Sequence, residues 1–201
     1  MTNRGVDADK RATLRRFAAV GAASPLTSLA DGDGDEGDVR TAIRGYLSST
    51  PGAHFSKLRD DLRLGTGETQ HHLRALEEAG TVESRKDGDY RRFYPAERFS
   101  EFEQIALGHL RRETPRGMVI QLLRSPGMTG ADLATELGVS AATVSKHASR
   151  LAEDGLLSAE DGYAIRNPEI VLTLLVRYAD SFGEIAAAFA AEADTFIRFD
   201  P

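Results

Sequence analysis

Residues 39–95 contain 10 basic and 8 acidic residues and so carry a net positive charge in a chain of net charge −6. Glutamine can pair with adenine, and arginine with guanine, through two hydrogen bonds each, while lysine and arginine can neutralise phosphates. The candidates in this segment are Thr66, Gln70, His71, Arg74, Arg85, Lys86, Arg91 and Arg92. A second set offers hydroxyls and one amine to phosphate oxygens. Its members are Ser140, Thr143, Ser145, Lys146 and Ser149.

An internal repeat at a spacing of 75 residues places the two sets on equivalent elements. The shift pairs Pro51-Gly52 with Pro126-Gly127, and Gly80 with Gly155, and it needs no gap over about forty residues. We therefore interpret the chain as two copies of one structural unit.

Each copy is predicted to contain three helices, because apolar residues recur at helical spacing between proline and glycine breaks. In the second copy the helices are predicted at Met118–Arg124 and Ala131–Leu137, followed by a third that Ser140 caps and that runs to Asp154. The first copy repeats the last two at Phe55–Leu62 and Gly67–Ala79. The inward faces of the third helices are predicted to carry Thr69, Leu73 and Leu76 in the first copy, and Val144, Ala148 and Leu151 in the second. Two short helices joined by a tight turn form the helix-turn-helix pattern, whose second helix enters the major groove.

A hairpin is predicted directly after the third helix of the first copy. Residues 81–94 form two alternating runs around Asp87-Gly88, which is a hairpin signature. A hairpin at this place is a wing, and this wing carries Arg85, Lys86, Arg91 and Arg92. The second copy has a shortened wing at Ala159–Tyr163 with acidic residues there, so we expect the first module to be the main DNA reader.

These residues carry a resemblance to known regulators. Ser140–His147, followed by Leu151 and Gly155-Leu156-Leu157, resembles the recognition helix and wing of ArsR- and MarR-type regulators. Residues 73–94 are similar to archaeal winged-helix regulators. The resemblance implies a mainly α fold with small β wings, in which two winged helix-turn-helix modules stand in tandem before C-terminal helices. It also implies binding to double-stranded DNA.

The composition argues against several other classes of protein. The chain has no cysteine, so disulfides and thiolate metal sites are excluded. No Ser-His-Asp set or phosphate-binding loop is present, and His71, His72 and His147 lack acidic partners at ligand spacing. We therefore expect no enzyme activity, no cofactor, no metal site and no membrane span. Scarce lysine among 25 basic residues and an excess of acid are typical of proteins from salt-loving archaea.

The chain is predicted to divide into five segments. These are an N-terminal helix and acidic disordered tether (1–38), a first module (39–95), a linker helix (96–113), a second module (114–166) and C-terminal helices (167–201). From Pro168 onward these last helices are apolar on nearly every side and continue to Phe196 and Ile197. Such helices favour a homodimer interface, as in ArsR- and MarR-like proteins; the alternative is packing back across the first module.

The N-terminus allows two interpretations. An amphipathic helix from about Asp9 to Val20, followed by the acidic tether Asp31–Asp38, is one of them. The other is a twin-arginine export leader with Arg15-Arg16-Phe17 and Ser28-Leu29-Ala30. A DNA reader has to stay in the cytoplasm, which favours the first.

The sequence as a whole predicts a DNA-binding transcriptional regulator of the cytoplasm. The alternative is a non-catalytic assembly factor, in which winged helices bind protein during replication or chromosome organisation. The acidic second wing and the apolar C-terminal helices fit that alternative as well.

Overall fold

The computed structural model describes residues 4–22, 34–160 and 162–193. It divides into two compact units, residues 1–100 and 101–201. The described residues are mainly helical with two small antiparallel sheets, which confirms the expected fold class. Among them, no helix combines the length and the apolar character needed to cross a bilayer.

The first unit contains a helix-turn-helix followed by a wing. Its elements are α1 (Arg4–Ala22), α2 (Gly34–Ser49), β1 (Ala53–His54), α3 (Phe55–Asp61), α4 (Thr66–Glu78), β2 (Val82–Asp87) and β3 (Tyr90–Pro95). The strands form one antiparallel sheet in the order β1-β3-β2. The sequence did not predict β1, because a strand of two residues is too short to show alternation.

Helices α1 and α2 pack together and supply one side of the first unit's core. Leu14 of α1 and Val39, Ile43 and Tyr46 of α2 are buried there. The ring of Phe17 lies 5.2 Å from that of Tyr46 in an edge-to-face arrangement. Burying a large apolar side chain contributes about 1.5–3 kcal/mol, so α1 is an integral part of this unit.

The N-terminal segment differs in part from its prediction. A helix is present, and at Arg4–Ala22 it is longer than expected. The predicted disordered tether is wrong from Gly34 onward, because α2 already begins there. Acidic residues in the first turns of a helix are favoured by the helix dipole, so their abundance does not argue against helix. Residues 31–33 of the tether, and Ser28–Ala30 of the alternative leader, lie outside the described residues.

The second unit adds flanking helices to the same trihelical plan. Its elements are α5 (Glu101–Leu110), α6 (Glu113–Arg124), α7 (Gly130–Leu137), α8 (Ala141–Glu153), β4 (Leu157–Ser158), β5 (Ala164–Ile165), α9 (Pro168–Arg177), α10 (Ala179–Phe182) and α11 (Glu184–Ala191). Helix α5, the expected linker helix, packs against α6 and α9 and buries Ala106, Leu107 and Leu110. It therefore belongs to the second unit's core.

The C-terminal helices pack within the second unit. Helix α9 contacts α5 and α11, and it buries Val171, Leu174 and Leu175. Ile170 and Ile185 remain exposed, so these helices keep some apolar surface. The homodimer stays a prediction, and the apolar residues Phe196 and Ile197 lie outside the described residues.

The 75-residue repeat is also visible in the backbone hydrogen bonds. The N–H of Gly52 donates to the carbonyl of Phe93 over 2.9 Å, and the N–H of Gly127 donates to that of Tyr163 over 2.9 Å. Both glycines have positive φ, 76° and 87°. The two units therefore tie the turn before the helix-turn-helix to the wing in the same way.

Candidate nucleic-acid interface

Helix α4 is the second helix of the first helix-turn-helix, the position of the recognition helix in this motif. It begins after Gly65, whose N–H donates to the Oε2 of Glu68 over 3.0 Å. The hydroxyl of Thr69 donates to the carbonyl of Gly65 over 2.8 Å, which further stabilises the first turn. Thr69, Leu73 and Leu76 are buried, as the sequence predicted.

The face of α4 opposite the core is open to solvent. All four candidates of the first recognition helix lie there and are exposed: Thr66, Gln70, His71 and Arg74. The next residue after His71, His72, is buried in the core. The two adjacent histidines therefore lie on different faces of α4.

The predicted wing of the first unit is present as the hairpin β2–β3. Asp87 pairs with Tyr90, which leaves Gly88 and Asp89 as a two-residue turn. Gly88 has φ 61°, a conformation that suits glycine at the first central position of a tight hairpin turn. On the strands, Arg85 is half-buried, while Lys86 and Arg91 are exposed.

Arg91 joins the wing to the recognition helix. Its Nη2 donates to the Oε1 of Glu77 over 2.7 Å, and its Nε donates to the Oγ of Ser84 over 2.8 Å. The Ser84 hydroxyl donates in turn to the same Glu77 oxygen over 2.6 Å. The guanidinium also lies 5.4 Å from the ring centre of Phe93. Arg91 is thus exposed and at the same time held in one orientation.

The structure corrects the expectation for Arg92. Its side chain is only 2% exposed and forms an ion pair with Asp87. Its Nη1 donates to the carbonyl of Gly52 over 3.0 Å. Successive residues of a strand face opposite sides of the sheet, so Arg92 lies on the face opposite Arg91, where Asp87 and the carbonyl of Gly52 cover it. We therefore remove it from the candidate phosphate contacts, because it braces β3 against β2 and the turn before β1.

A groove of about 560 Å³ lies between α4 and the wing. Gln70, Arg74 and Glu77 line it from the helix, and Arg91 and Phe93 line it from the strand. Polar groups of the recognition helix and a wing arginine therefore open onto one common surface.

The second unit presents a recognition helix of different character. In α8 the N-cap is Ser140, whose Oγ accepts from the N–H of Thr143 over 3.1 Å and lies 2.8 Å from its hydroxyl. Val144, Ala148 and Leu151 are buried as predicted. Of the remaining candidates, Thr143 is half-buried, and the exposed ones are Ser140, Ser145, Lys146 and Ser149. The two hydroxyls nearest the helix start are therefore engaged with each other.

The second wing is short and carries an acidic residue. Strands β4 and β5 pair only Leu157 with Ile165 and Ser158 with Ala164. Glu160 is exposed between them, and the neighbouring Asp161 lies outside the described residues. A side chain at Gly162 would meet the carbonyl oxygen of Gly127 at 2.5 Å, so this wing is packed closely against the preceding turn.

Two histidines near these surfaces have lowered pKa values. Partial burial, and then the charges of Arg92 and Lys57, hold the pKa of His54 below its ordinary 6.5. Burial and the charge of Lys146 lower the pKa of His147. The Nδ1 of His54 accepts from the N–H of Lys57 over 3.2 Å and so caps α3, a role that requires the neutral ring. Among the described residues, no group of three or more metal-ligating side chains is assembled.

Sequence reasoning missed three residues at this surface: Lys10, Glu68 and Glu77. Lys10 of α1 forms an ion pair with Glu68 over 2.8 Å. Partial burial opposes the charge of Glu68, yet the hydrogen bonds from Lys10 and from the N–H of Gly65 outweigh it and lower its pKa. Glu68 stands three residues after Gly65, at the capping-box position, which is a sequence signal that was available. No local signal indicates the partners Lys10 or Arg91.

Comparison with known proteins is consistent with this geometry. A family model described as an N-terminal HTH domain matches residues 37–107, and the MarR family model matches residues 118–162. Over 129 residues the chain is 30% identical to an uncharacterized HTH-type transcriptional regulator of Methanocaldococcus jannaschii. That match covers 64% of this chain and 32% of the relative, so the chain spans about a third of the relative's length. The resemblance to archaeal winged helix-turn-helix regulators of MarR type is confirmed, and the ArsR-like part of it stays a prediction.

Proposed function

We propose that this chain is a transcriptional regulator that binds double-stranded DNA, with α4 in the major groove and the first wing along the phosphate backbone. The observation that carries the proposal is the common surface of α4 and the wing. There the exposed Gln70 and Arg74 stand beside the exposed Arg91. Two matched helix-turn-helix families and a relative named as a transcriptional regulator support the same function.

The exposed face of α4 is suited to reading bases. Gln70 and Arg74 lie one helical turn apart on the exposed face, so both point away from the core. Each can form a bidentate pair with a purine, worth about 1–3 kcal/mol of discrimination against the wrong base. Thr66 and His71 flank them and can bind phosphates or base edges.

The wing supplies contacts that do not depend on sequence. Lys86 and Arg91 are opposite each other across β2 and β3, and both are exposed. Their charges can neutralise phosphates, whereas the half-buried Arg85 pairs with Arg92 on the opposite face of the hairpin. The ion pair with Glu77 keeps Arg91 beside the recognition helix. The Arg91 side chain therefore loses less conformational entropy when it binds a phosphate.

The second module is proposed to be a weaker reader. The Ser140 and Thr143 hydroxyls are engaged with each other, and the exposed Glu160 on the wing would repel phosphate. Lys146, Ser145 and Ser149 remain exposed for contacts to phosphate. We propose that the chain acts in the cytoplasm as a homodimer, and the exposed Ile185 of α11 supports an interface at the C-terminal helices.

Chromatin immunoprecipitation of the full chain, followed by sequencing, tests the proposal. We expect enriched sites that share a motif, and we expect the enrichment to fall when Gln70 and Arg74 are both changed to Ala. The matched control is Arg98→Ala, at an exposed arginine outside the proposed surface. A failure to find motif-bearing sites would contradict sequence-specific binding and favour the assembly-factor alternative.

A further inference from the structure

The recognition helix α4 is held by ion pairs on two opposite sides. Glu68 pairs with Lys10 of α1 over 2.8 Å, and Glu77 pairs with Arg91 of the wing over 2.7 Å. The two glutamates are nine residues apart in the sequence, which is about two and a half turns of an α-helix. Their side chains therefore leave α4 in opposite directions, so α1 and the wing flank it from opposite sides.

The DNA-reading face of α4 lies between these two flanks. Gln70, His71 and Arg74 are exposed, and they fall between the direction of Glu77 and the direction of Glu68 around the helix. A duplex that receives α4 in its major groove presents a phosphate backbone on each side of that groove. The wing faces one backbone, and α1 faces the other.

The charge of α1 suits that position. Residues 10–19 contain four basic and no acidic side chains, in a chain whose net charge is −6. Lys10 is paired with Glu68, which leaves Arg11, Arg15 and Arg16 exposed. Arg11 and Arg15 are one turn apart on one side of the helix, with about 5–6 Å between their Cβ atoms.

The remaining contacts of α1 fix it in place. Leu14 is buried in the core of the first unit, and Phe17 packs against Tyr46. The arginines are therefore carried by a helix that is already packed against α2 and linked to α4 through Lys10 and Glu68, so DNA binding does not require the ordering of a free arm.

We propose that α1 is a third DNA-contacting element, in which Arg11 and Arg15 bind phosphates on the side of the major groove opposite the first wing. This inference rests on the proposed function, because it needs α4 to enter the groove. Lys10 and Glu68 are positioning residues in it, since their ion pair links α1, which is anchored by Leu14 and Phe17, to the recognition helix.

Titration of the full chain with a random-sequence DNA duplex over a range of salt concentrations tests this element. Each phosphate contact contributes about 0.9 to the slope of log Kobs against log salt, so Arg11→Ala with Arg15→Ala should reduce the slope by about 2. The double substitution to Lys keeps both charges and should restore most of the slope. Arg98→Ala removes a positive charge from an exposed site outside the proposed contacts and should leave the slope unchanged.

The outcomes separate this inference from the proposed function. If the unaltered chain binds DNA and the alanine pair keeps its slope and affinity, α1 does not contact DNA, while the proposed function stands. If the unaltered chain shows no salt-dependent DNA binding, the proposed function fails first. The alanine pair is also compared with the unaltered chain in binding to vesicles of anionic lipid. If the pair loses binding to the vesicles while its DNA binding is unchanged, the arginines contact a membrane surface and the inference is overturned. Both side chains are exposed, so an unchanged melting temperature is expected and verifies the fold.

Discussion

Arg91 and Arg92 are neighbours on β3, yet one is 61% exposed and ion-paired with Glu77, while the other is 2% exposed and ion-paired with Asp87. Their side chains leave the strand on opposite faces of the wing. Two adjacent residues of one chemical type therefore have different roles. Arg91 is available to a phosphate, and Arg92 holds the wing together.

The two arginines should respond differently to substitution. Arg91→Ala is expected to weaken binding about equally on all DNA sequences and to lower the salt slope by about 1, because one phosphate contact is lost. Arg92→Ala is expected to lower the free energy of unfolding by about 3 kcal/mol, since it breaks a buried ion pair. Salt titrations and urea unfolding of both variants measure this. If the two variants change the salt slope and the free energy of unfolding by the same amounts, Arg91 and Arg92 do not have different roles.

Gln70 and Arg74 are predicted to control discrimination between DNA sites. Changing either one to Ala should reduce the preference for the best site over a random duplex by about 1–3 kcal/mol. Binding to the random duplex should change less, because that binding depends on phosphates. Competition titrations with both duplexes measure the ratio. An equal loss on the two duplexes would show that these side chains contact only the backbone.

Arg63 is predicted to be a site where glycine stabilises the first unit. It has φ 55°, and its equivalent position in the 75-residue repeat is Gly138, which has φ 62°. A residue with a Cβ loses about 1–2 kcal/mol in the left-handed region, so Arg63→Gly should raise the free energy of unfolding by up to about 1 kcal/mol. Gly138→Arg is the reciprocal control and should lower it by a similar amount. Apart from its chain neighbours, no atom lies within 4 Å of a Cβ placed at Gly138, so a steric clash of the Cβ does not add to the backbone strain there.

The lowered pKa of His54 predicts a loss of stability in acid. An unfolded chain binds a proton at His54 below about its ordinary pKa of 6.5, whereas the folded chain resists protonation until a lower pH. The contribution of His54 to the free energy of unfolding should therefore be fully present above pH 6.5. It should be lost as the pH drops through the lowered pKa of the folded chain. His54→Asn keeps an acceptor that can cap α3 and cannot titrate, so it should flatten part of this dependence. His147 accounts for a further part, and a pH dependence identical to that of the unaltered chain would contradict the assignment.

The C-terminal helices are predicted to form the homodimer interface. Ile185 is 59% exposed on α11, and a charge placed there would have to be desolvated in an apolar interface. Ile185→Asp should therefore shift the chain toward monomer in sedimentation or light-scattering measurements. Thr135→Asp adds the same charge at an exposed polar site of α7, outside the C-terminal helices, and serves as the control. If both variants keep the mass of the unaltered chain, the interface is not at Ile185.

Periodicity predicted much of this protein because it reports which face of an element is buried. The inward residues of α4 and α8, the outward Gln70 and Arg74, and the turn at Gly88 all follow from spacing and from residue types with strong conformational preferences. The repeat predicted both trihelical units, because equivalent breaks at Gly52 and Gly127 require equivalent turns.

Other features required contacts between residues far apart in the sequence. Strand β1 exists only because β3 pairs with it, and α2 extends into residues whose acidic composition favours disorder. Helix α5, expected to be a linker helix, is a core element because α6 and α9 cover it. In each case the local sequence allows more than one state, and packing selects between them.

The sequence alone thus determined the recognition helices and the positive charge of the first wing, since helical spacing and charge are local properties. Only the tertiary structure decided which arginine of the Arg91-Arg92 pair faces solvent, because that depends on Asp87 and on the carbonyl of Gly52, which the fold brings to Arg92. It also placed α1 beside α4 through Lys10 and Glu68. An ion pair between residues so far apart in sequence has no periodic signal, since folding alone brings its partners together.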